Sequence, residues 1–455
     1  MFRRLHYSCF IVMGVIVVVF CKNDPHNNES LLQEGNHGGV IMAESKVYKR
    51  DYYLSQLRPF YDADDLIKVV TGIRRCGKSY LLLSVMDELR ARGVPENNIA
   101  YLNLDRSEYR KVTTPDLLER TVDKALTSAG PGLRYLFVDE VQNVRDFEPV
   151  INAVREDGDT SVFLTGSNSY LLSGDLVTKM TGRYVETEMF TLSFAEWLGM
   201  RRFLGLPTDD TATLFREYLS QGGFPRAVSI MDPRARAMYI RDVVSQIFDK
   251  DVRTRRKIKD VALFDRVQAY FVNNFAAPTN LANVIDYLDH TEHVRIKRET
   301  LSKYLGSLED AKILYRCPRF DLKSKRMLRG GDKFYLADTG IYTARNTDAR
   351  ISYGPALENV LYTHLRAKGY QVSVGRIGRL ECDFIAQRDN MYWYIQVSMS
   401  VMDPSVEERE YRPFRDIRDN YPRYLFTLDP LPEQRDGIRH VNLMEFLSSD
   451  GELLP

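Results

Sequence analysis

The chain has 455 residues, which is longer than a typical single domain. Its 44% hydrophobic and 27% charged residues are ordinary for a globular protein. The formal net charge is +1, so there is no overall basic field to attract nucleic acid, and any such surface must be local. The five cysteines are scattered and form no C-x-x-C pair. This pattern disfavours a zinc site or a disulfide framework and favours a reducing compartment.

The chain opens with an apolar stretch. Arg3 and Arg4 precede residues 9–21, which are too short for a comfortable membrane span but suit the core of a signal peptide. Met42 then begins a segment typical of a cytoplasmic start. We expect translation to start at Met42 and the product to be cytoplasmic, without stable membrane association. The alternative is a signal anchor formed by residues 1–41.

The first chemical motif is a glycine-rich loop, residues 72–79, which matches the pattern G-x-x-x-x-G-K-[ST]. A β-branched run before it predicts a buried strand, and apolar residues at helical spacing after it predict a helix. In this context the backbone N–H groups and the helix N-terminus favour phosphate. Lys78 is expected to contact the β- and γ-phosphates, and Ser79 to ligate Mg²⁺. The predicted ATP-binding residues are Gly72, Arg74, Arg75, Cys76, Gly77, Lys78, Ser79 and Tyr80.

Two acids follow a second apolar strand. Residues 135–140 read Tyr-Leu-Phe-Val-Asp-Glu, so the strand ends in Asp139 and Glu140. Asp139 is expected to bind the magnesium ion, and Glu140 to orient or deprotonate the attacking water. Taken alone, such a pair is more often a solvated turn or the start of a helix. Its position downstream of the glycine-rich loop favours the catalytic interpretation.

A third strand, residues 161–166, ends before Ser167 and Asn168. We expect one of these residues, with Asn168 as the first candidate, to sense the γ-phosphate; a helix N-cap is the alternative. Arg183 precedes a further strand. It is a candidate arginine finger toward a neighbouring subunit or a sensor in its own subunit, and a surface arginine is the alternative.

These motifs together resemble those of the prokaryotic AAA-type ATPases, in which a P-loop domain is joined to a C-terminal domain of unknown function. The resemblance runs from about Val47 to near the C-terminus. It implies ATP and Mg²⁺ as cofactors. The segments that carry it are residues 71–79, Val-Asp-Glu-Val-Gln at 138–142, Leu-Thr-Gly-Ser-Asn-Ser at 164–169, Gly-Gly-Phe-Pro at 222–225 and Tyr-Ile-Gln-Val-Ser at 394–398.

The predicted fold class is α/β, with a P-loop NTPase parallel sheet, because strands and helices alternate in the first half of the chain. The Gly-Gly-Phe-Pro segment predicts a tight junction between helices. We expect five segments: a leader at 1–41, an AAA-type core at 42–200, a helical linker or lid at 201–276, a winged-helix module at 277–345 and an α/β restriction-endonuclease-like domain at 346–455.

The expected winged-helix module reads as two amphipathic helices and two strands, which a basic turn separates. This order resembles the wing segment of the family. It would place the helix around Lys297 and Lys303 in a DNA major groove, and Lys323, Lys325 and Arg326 on the phosphate backbone. A module that only packs domains together is an equal alternative.

The last segment resembles a restriction-endonuclease core, in which two acids and a later [DE]-x-K hold a metal and a catalytic lysine. Glu358, Glu381 and Asp383 match the early acids, but Gln396 and Ser398 stand where the later acid and the lysine belong. Without that acid the magnesium site loses charge, and without the lysine no cation stabilises the pentavalent phosphate. We expect a retained fold, at most a weak metal site, and lost or feeble cleavage.

The sequence therefore predicts a magnesium-dependent ATPase that works as a nucleotide-gated switch or remodeller, with DNA as a candidate partner. The alternative is a signalling or scaffold ATPase that binds protein partners and carries an inactive nuclease-like domain. An active magnesium-dependent endonuclease is the least favoured hypothesis. A homo-oligomer is a further candidate assembly.

Overall fold

The computed structural model describes residues 10–12, 15–17, 47–167, 183–254, 256–324, 326–328, 330–346, 352–378, 380–430 and 434–455. Two of the predicted site residues, Asn168 and Lys325, and most of the predicted leader with Met42 lie outside these ranges. Residues 1–48 and 49–455 form separate compact units. In the first unit, strands β1 (Phe10–Val12) and β2 (Val15–Val17) pair in antiparallel fashion. No helix among the described residues has the length and hydropathy that crossing a bilayer requires.

The second unit begins with a five-stranded parallel sheet. Its strands are β3 (Ile67–Thr71), β4 (Ile99–Asn103), β5 (Arg134–Asp139), β6 (Thr160–Gly166) and β7 (Tyr184–Glu188). Their order across the sheet is β4-β5-β6-β3-β7. Strand β6 therefore lies between β3, which precedes the glycine-rich loop, and β5, which leads into the two acids. This arrangement confirms the predicted α/β P-loop NTPase fold.

The central strands of this sheet are buried on both faces, which explains their nearly continuous apolar sequences. Strand β4 lies at an edge and alternates between buried and half-buried residues. Apolar residues of the strands pack against α3 and α4 in one hydrophobic core. The helices of this part are α1 (Asp51–Leu57), α2 (Lys78–Ala91), α3 (Pro115–Leu126) and α4 (Glu148–Glu156).

The register of the strands brings their carboxyl ends to one edge of the sheet. Thr71, the last residue of β3, lies beside Gly166 of β6 and Glu188 of β7. At the same carboxyl edge, Asn103 at the end of β4 lies beside Asp139 at the end of β5. The loops that follow these strands therefore meet at one edge, where open α/β sheets bind ligands.

Helices follow the sheet. Ser193 and Glu196 form a capping box at the start of the first helix, in which each side chain accepts a hydrogen bond from the backbone N–H of the other residue, at 3.3 Å and 2.9 Å. The Gly-Gly-Phe-Pro segment separates two of the helices, where the sequence predicts a tight junction. The elements are α5 (Phe194–Phe203), α6 (Thr211–Gln221), α7 (Pro225–Val228), α8 (Pro233–Gln246), a π-helix (Ile247–Thr254) and α9 (Val261–Asn273).

The next segment contains two helices and a small antiparallel sheet in the order β8-β12-β9. It differs from the expected pair of strands, because two further short strands lie between β9 and β12. These strands, β10 and β11, form a hairpin that extends the C-terminal sheet, so the basic turn lies at the edge of that sheet. The elements are β8 (Pro278–Thr279), α10 (Leu281–His290), α11 (Arg298–Asp310), β9 (Leu314–Cys317), β10 (Arg319–Asp321), β11 (Arg326–Met327) and β12 (Asp332–Leu336).

The C-terminal part is mixed α/β. Two helices are followed by three antiparallel strands, a third helix, two strands that run parallel to the third strand, and a final helix. The elements are α12 (Gly340–Arg345), α13 (Tyr353–Ala367), β13 (Gln371–Ile377), β14 (Leu380–Arg388), β15 (Met391–Val397), α14 (Pro404–Arg415), β16 (Arg423–Thr427), β17 (Ile438–Asn442) and α15 (Leu443–Ser448). The seven-stranded sheet has the order β11-β10-β13-β14-β15-β16-β17. Its restriction-endonuclease-like character remains a prediction.

Candidate active site

The glycine-rich loop follows β3 and leads directly into α2, which begins at Lys78. Gly72, Arg75 and Gly77 have φ angles of 145°, 70° and 111°, the range that glycine adopts without strain. A Cβ atom at Gly72 would lie 2.1 Å from the carbonyl oxygen of Met189, so only glycine fits there. The backbone therefore turns tightly over the end of the sheet and opens at the N-terminus of a long helix, as an anion site requires.

The ammonium group of Lys78 lies inside the loop. Its Nζ atom donates hydrogen bonds to the carbonyl oxygens of Gly72 at 3.1 Å and Ile73 at 3.3 Å. It also lies 3.9 Å from Oε1 of Glu140, and the lysine side chain is only 3% exposed. The structure thus brings together the predicted phosphate-binding lysine and the predicted catalytic acid.

Asp139 is fully buried at the end of β5. One carboxylate oxygen accepts hydrogen bonds from the Tyr101 hydroxyl at 2.9 Å and the Asn103 amide at 3.0 Å, and the other accepts one from Thr165. A carboxylate offers about four lone-pair sites, so one site remains for a further hydrogen bond. A water bound to a magnesium ion could donate that bond to Asp139, and the Ser79 hydroxyl at the start of α2 is an oxygen ligand of the kind that magnesium prefers.

Glu140 adopts a left-handed backbone conformation, with φ of 58°. A residue other than glycine is held in this region only where its surroundings determine it. Its N–H donates to the Thr165 hydroxyl at 2.9 Å, and its carboxylate accepts a hydrogen bond from the side-chain amide of Gln142. The same amide lies 3.3 Å from the Ser167 hydroxyl. Thr165 therefore contacts both acids, and Gln142 links Glu140 to the end of β6.

The other predicted loop residues differ in their surroundings. Arg74 pairs with Asp251 of the π-helix, whereas Arg75 is exposed and Tyr80 is 51% exposed. The Cys76 side chain is fully buried, and burial raises the pKa of its thiol in spite of the nearby Lys78. Desolvation of the thiolate thus outweighs the positive charge of Lys78.

The structure places Arg183 away from the glycine-rich loop. Its carbonyl oxygen accepts a hydrogen bond from the N–H of Ile67, the first residue of β3, and its guanidinium pairs with Glu156 at 3.1 Å. The loop follows the other end of β3, roughly 15 Å away for a strand of this length. This distance is incompatible with a sensor role in its own subunit. An arginine finger toward a neighbour remains a prediction.

The predicted DNA-contacting residues that the structure describes are all exposed. Lys297 immediately precedes α11 and Lys303 lies within it, while Lys323 and Arg326 belong to the β10–β11 hairpin. Exposure is compatible with a phosphate-binding surface and with a solvated face alike. Their contact with DNA remains a prediction.

At the C-terminal candidate site, the structure supplies a cation that the sequence motif lacks. The Nζ atom of Lys333, from β12, lies 2.8 Å from Glu358, 3.2 Å from Asp383 and 3.8 Å from Glu381. The expectation of acids without a lysine is therefore wrong, because the lysine comes from a strand outside the motif. Among the described residues, no group of three or more His, Cys, Asp or Glu is arranged to hold a metal ion. The acids surround an ammonium group instead.

Gln396 has a structural position beside this cluster. Its side-chain oxygen accepts a hydrogen bond from the Asp383 N–H at 2.7 Å, and its amide donates to Glu410 at 2.8 Å. Ser398 donates to the carbonyl oxygen of Ser400 at 3.2 Å. Neither residue reproduces the charge of the acid or lysine that the motif would carry at its position.

The cluster opens to a cleft of about 730 Å³, lined by Glu358, Glu381, Asp383, Gln396 and Ser398 together with part of α14. Burial, followed by the charge of Asp383, raises the pKa of the Glu358 carboxyl to about 7. Burial lowers the pKa of Lys333, but the charges of Asp383 and Glu358 outweigh it and raise that pKa above its ordinary value. Lys333 is therefore charged at neutral pH.

Sequence patterns missed several residues of these two sites, among them Thr165, Gln142, Asp251 and Lys333. Thr165 and Gln142 lie within motifs that the sequence does show, so their proximity to the acids was the available signal. Asp251 and Lys333 carry no such signal. Each is an isolated charged residue whose partners lie far along the chain.

Two family models match successive parts of the chain. Residues 64–198 match the family model of an AAA domain, and residues 212–350 match a domain of unknown function, DUF8612. The first range contains the glycine-rich loop and both acids. The second contains the π-helix with Asp251 and the strand with Lys333.

Two relatives extend the similarity over most of the chain. An uncharacterized protein of Haemophilus influenzae is 32% identical over 403 residues, which cover 88% of this chain and 98% of the relative. An uncharacterized protein of Methanocaldococcus jannaschii is 25% identical over 336 residues, or 72% of each chain.

Solved structures show weaker likeness. The Walker-type ATPase PABY2304 of Pyrococcus abyssi is 14% identical with a TM-score of 0.48, over 66% of this chain and 96% of that protein. The Aeropyrum pernix ORC1 protein, solved in complex with DNA, is 15% identical with a TM-score of 0.34, over 66% and 92% of the two chains.

Proposed function

Because the chain belongs to the prokaryotic AAA-type ATPases in which a P-loop domain is joined to a domain of unknown function, we propose that it is a magnesium-dependent ATPase working as a nucleotide-gated switch. One observation carries this proposal. Lys78 and Glu140 lie 3.9 Å apart at the edge of the sheet where the glycine-rich loop opens. A cation for the phosphates and a base for water thus occupy one site.

The proposed reaction uses ATP as substrate. The loop N–H groups and the Lys78 ammonium bind the β- and γ-phosphates, for which the ammonium gives up its hydrogen bonds to the loop carbonyls. Ser79 and Asp139 would hold magnesium, which neutralises phosphate charge when bound. Glu140 accepts a proton from the attacking water as the bond between the γ-phosphorus and its bridging oxygen breaks. Gln142 orients the Glu140 carboxylate.

Two substitutions test this site. Lys78→Ala should abolish ATP binding, because it removes the charge that faces the phosphates. Glu140→Gln should retain binding but lower turnover by about 100-fold or more, the usual contribution of a general base. Binding is measured with a fluorescent ATP analogue and turnover by phosphate release.

The matched controls are Lys111→Ala and Glu119→Gln, which change exposed residues of the same types. Both should behave as wild type. Turnover by Glu140→Gln equal to that of wild type would exclude Glu140 as the base, and unchanged binding by Lys78→Ala would contradict the ATP site itself.

We propose that the segments beyond residue 200 receive the nucleotide signal, with 201–276 as the lid, 277–345 as a winged-helix module and 346–455 as a nuclease-like domain. The β10–β11 hairpin of the second of these segments joins the sheet of the third. The end of the AAA match at residue 198 supports the first boundary. An ATPase needs a compartment that contains ATP, so we also propose a cytoplasmic product that starts at Met42. Peptides from residues before Met42 in the native protein would refute that start.

We further propose DNA as the partner of the switch. The four exposed cations on α11 and the β10–β11 hairpin support it, since phosphate contacts need accessible Lys and Arg side chains. Duplex DNA should be retained at low salt and released as salt rises. Neutralising Lys323, Lys325 and Arg326 together should weaken this retention. No retention at low salt would favour the alternative, a signalling or scaffold ATPase with protein partners.

We expect no magnesium-dependent nicking of DNA by the C-terminal cleft. The positive charge of Lys333 already occupies the centre of the carboxylate cluster, so a second cation there would meet repulsion. Incubation of the purified protein with supercoiled plasmid and Mg²⁺ measures this. Nicking that disappears in Asp383→Ala would establish the endonuclease instead.

The oligomeric state bears on Arg183. If this arginine acts as a finger, it must reach a neighbouring subunit, because it lies at the far end of the sheet from its own loop. The mass of the protein in solution should then increase with ATP. Arg183→Ala should lower turnover without weakening ATP binding.

A further inference from the structure

Arg74 connects the glycine-rich loop to the π-helix. Its Nε and Nη2 atoms donate to the two carboxylate oxygens of Asp251, at 2.9 Å and 3.1 Å. The exposed fractions of the two side chains are 15% for Arg74 and 3% for Asp251. A bidentate pair of this kind fixes geometry as well as charge, and water cannot readily replace either partner.

The same carboxylate also contacts the end of β6. Oδ1 of Asp251 lies 3.4 Å from the Ser167 hydroxyl, and Ser167 in turn contacts Gln142, which holds the carboxylate of Glu140. Asp251 thus connects the glycine-rich loop to the end of β6, beside the proposed base Glu140. Asp251 lies in the 212–350 match, so the AAA domain receives this residue from its neighbouring domain.

The π-helix explains how Asp251 reaches the site. This wider helical turn directly continues α8, and segments of this kind are rare and are frequent at functional sites. Asp251 and Val252 are buried, whereas Asp249 and Lys250 are exposed. The π-helix therefore directs the carboxylate of Asp251 inward, onto Arg74, and leaves the two charged residues before it in solvent.

Two further anions, Asp105 and Glu140, could attract the Arg74 guanidinium if Asp251 did not bind it. Asp105 lies 3.6 Å from the guanidinium, and Glu140 adds to the negative charge around it. Without Asp251, Arg74 would keep a largely buried positive charge with Asp105 and Glu140 as the remaining anions around it. An arginine that turned to Glu140 would neutralise the carboxylate that takes the proton.

We propose that Asp251 is a positioning residue: it holds Arg74 away from Glu140 and couples the phosphate loop to the π-helix of the 212–350 domain. This inference rests on the proposed ATPase function for its kinetic consequences. The coupling of loop and π-helix does not depend on turnover, so it can be measured separately.

The kinetic test is a double-mutant cycle on the full chain. Asp251→Ala should lower kcat by roughly 10- to 100-fold, as expected for a misplaced catalytic group, with a smaller change in KM. Removing Arg74 as well should restore much of the kcat that Asp251→Ala loses, because no free guanidinium then remains to pair with Glu140. The loss of Arg74 as a predicted ATP-binding residue should appear as a higher KM. The control is Asp249→Ala, an exposed acid of the same π-helix, which should leave kcat unchanged. A double variant no better than Asp251→Ala would overturn the proposed route through Arg74.

Hydrogen exchange provides the second measurement and needs no nucleotide. Asp251→Asn, which keeps the shape but removes the charge, should speed amide exchange in loop residues 72–77, and Arg74→Ala should speed exchange in residues 247–254. Unchanged exchange in both variants would overturn the coupling. If both variants show faster exchange but the wild-type protein does not hydrolyse ATP, the proposed function fails and the proposed coupling of the loop and the π-helix stands. If wild type turns over ATP and Asp251→Ala matches it, the positioning role fails.

Discussion

The ammonium nitrogen of Lys333 lies 2.8 Å from the Oε2 atom of Glu358, and this contact joins β12 to helix α13. Just beyond the other end of β12, Asp338 accepts a hydrogen bond from the Gly223 N–H at 2.7 Å. The Gly-Gly-Phe-Pro segment that contains Gly223 approaches the glycine-rich loop, where Pro225 lies 3.8 Å from a Cβ position built on Gly77. One short strand is therefore flanked by the C-terminal cluster and by a segment that contacts the ATP site.

Replacing Lys333 with methionine should destabilise the protein by about 3–5 kcal/mol, the usual cost of leaving a buried charge without its partner. The lysine side chain is 5% exposed, and Glu358 and Asp383 would lose their counter-charge. Urea unfolding at pH 8 measures this change, with the exposed Lys323→Met as control.

The loss should be smaller at pH 5, because the carboxylates of the variant can take up protons when their cation is gone. Equal unfolding free energies for Lys333→Met and Lys323→Met at pH 8 would show that the cluster does not need its lysine.

Asp338 should make stability fall as pH rises from about 4 to 6. Burial raises the pKa of its carboxyl from the ordinary 3.8 to about 6, so the folded state binds a proton that the unfolded state releases. Its contribution is therefore complete below pH 4 and lost above pH 6, and amounts to roughly 3 kcal/mol. Urea unfolding across pH 4–7 should show a fall in wild type that is smaller by about this amount in Asp338→Asn, because the raised pKa of Glu358 still lowers the stability of the variant over the same range. The exposed control Asp123→Asn should retain the wild-type fall.

Gly222→Ala should destabilise the protein far more than Gly205→Ala. Both glycines have positive φ, at 75° and 68°, so each alanine strains the backbone by about 1–3 kcal/mol. A Cβ atom at Gly222 would lie 1.7 Å from Oδ1 of Asp338, whereas nothing lies within 4 Å of one at Gly205. Displacing Asp338 would add about 1–3 kcal/mol for its lost hydrogen bonds. Similar unfolding midpoints for the two variants would contradict this close approach.

Thr165→Val should lower ATP turnover by about 10- to 100-fold, the range typical when the partner of a catalytic or metal-binding group is removed. Valine keeps the shape but loses the hydroxyl that donates to Asp139 and accepts from the Glu140 N–H. Thr165→Ser retains that hydroxyl and should recover most of the activity. Thr160→Val, at the other end of the same strand, serves as the control. Failure of serine to restore turnover would assign the loss to packing.

Much of the geometry of the proposed ATP site could be predicted because its signals are local. The residues of the glycine-rich loop are consecutive, and Asp139 and Glu140 end a strand whose apolar run is evident in the sequence. Parallel strands bring their carboxyl ends together, so the proximity of these segments follows from the fold class. Cys76 was harder to judge, because its thiol pKa depends on burial that no local pattern reports.

The C-terminal cluster shows the opposite case. Its acids are separated from Lys333 by 25 residues for Glu358 and 50 for Asp383, and the lysine sits on a strand of a different sheet. The sequence motif has Ser398 where its lysine belongs and therefore suggested that no cation was present. Because β12 packs against α13, Lys333 reaches the acids from outside the motif.

The amino-acid sequence by itself determined the α/β P-loop architecture, the phosphate loop and the pair of acids, because hydrophobic periodicity and glycine spacing act over a few residues. Only the tertiary structure decided that Asp251 holds Arg74 across 177 residues, that Thr165 contacts both acids and that Arg183 faces away from its own loop. Such contacts depend on how whole elements pack, and a single charged residue has no neighbours along the chain that reveal its partner.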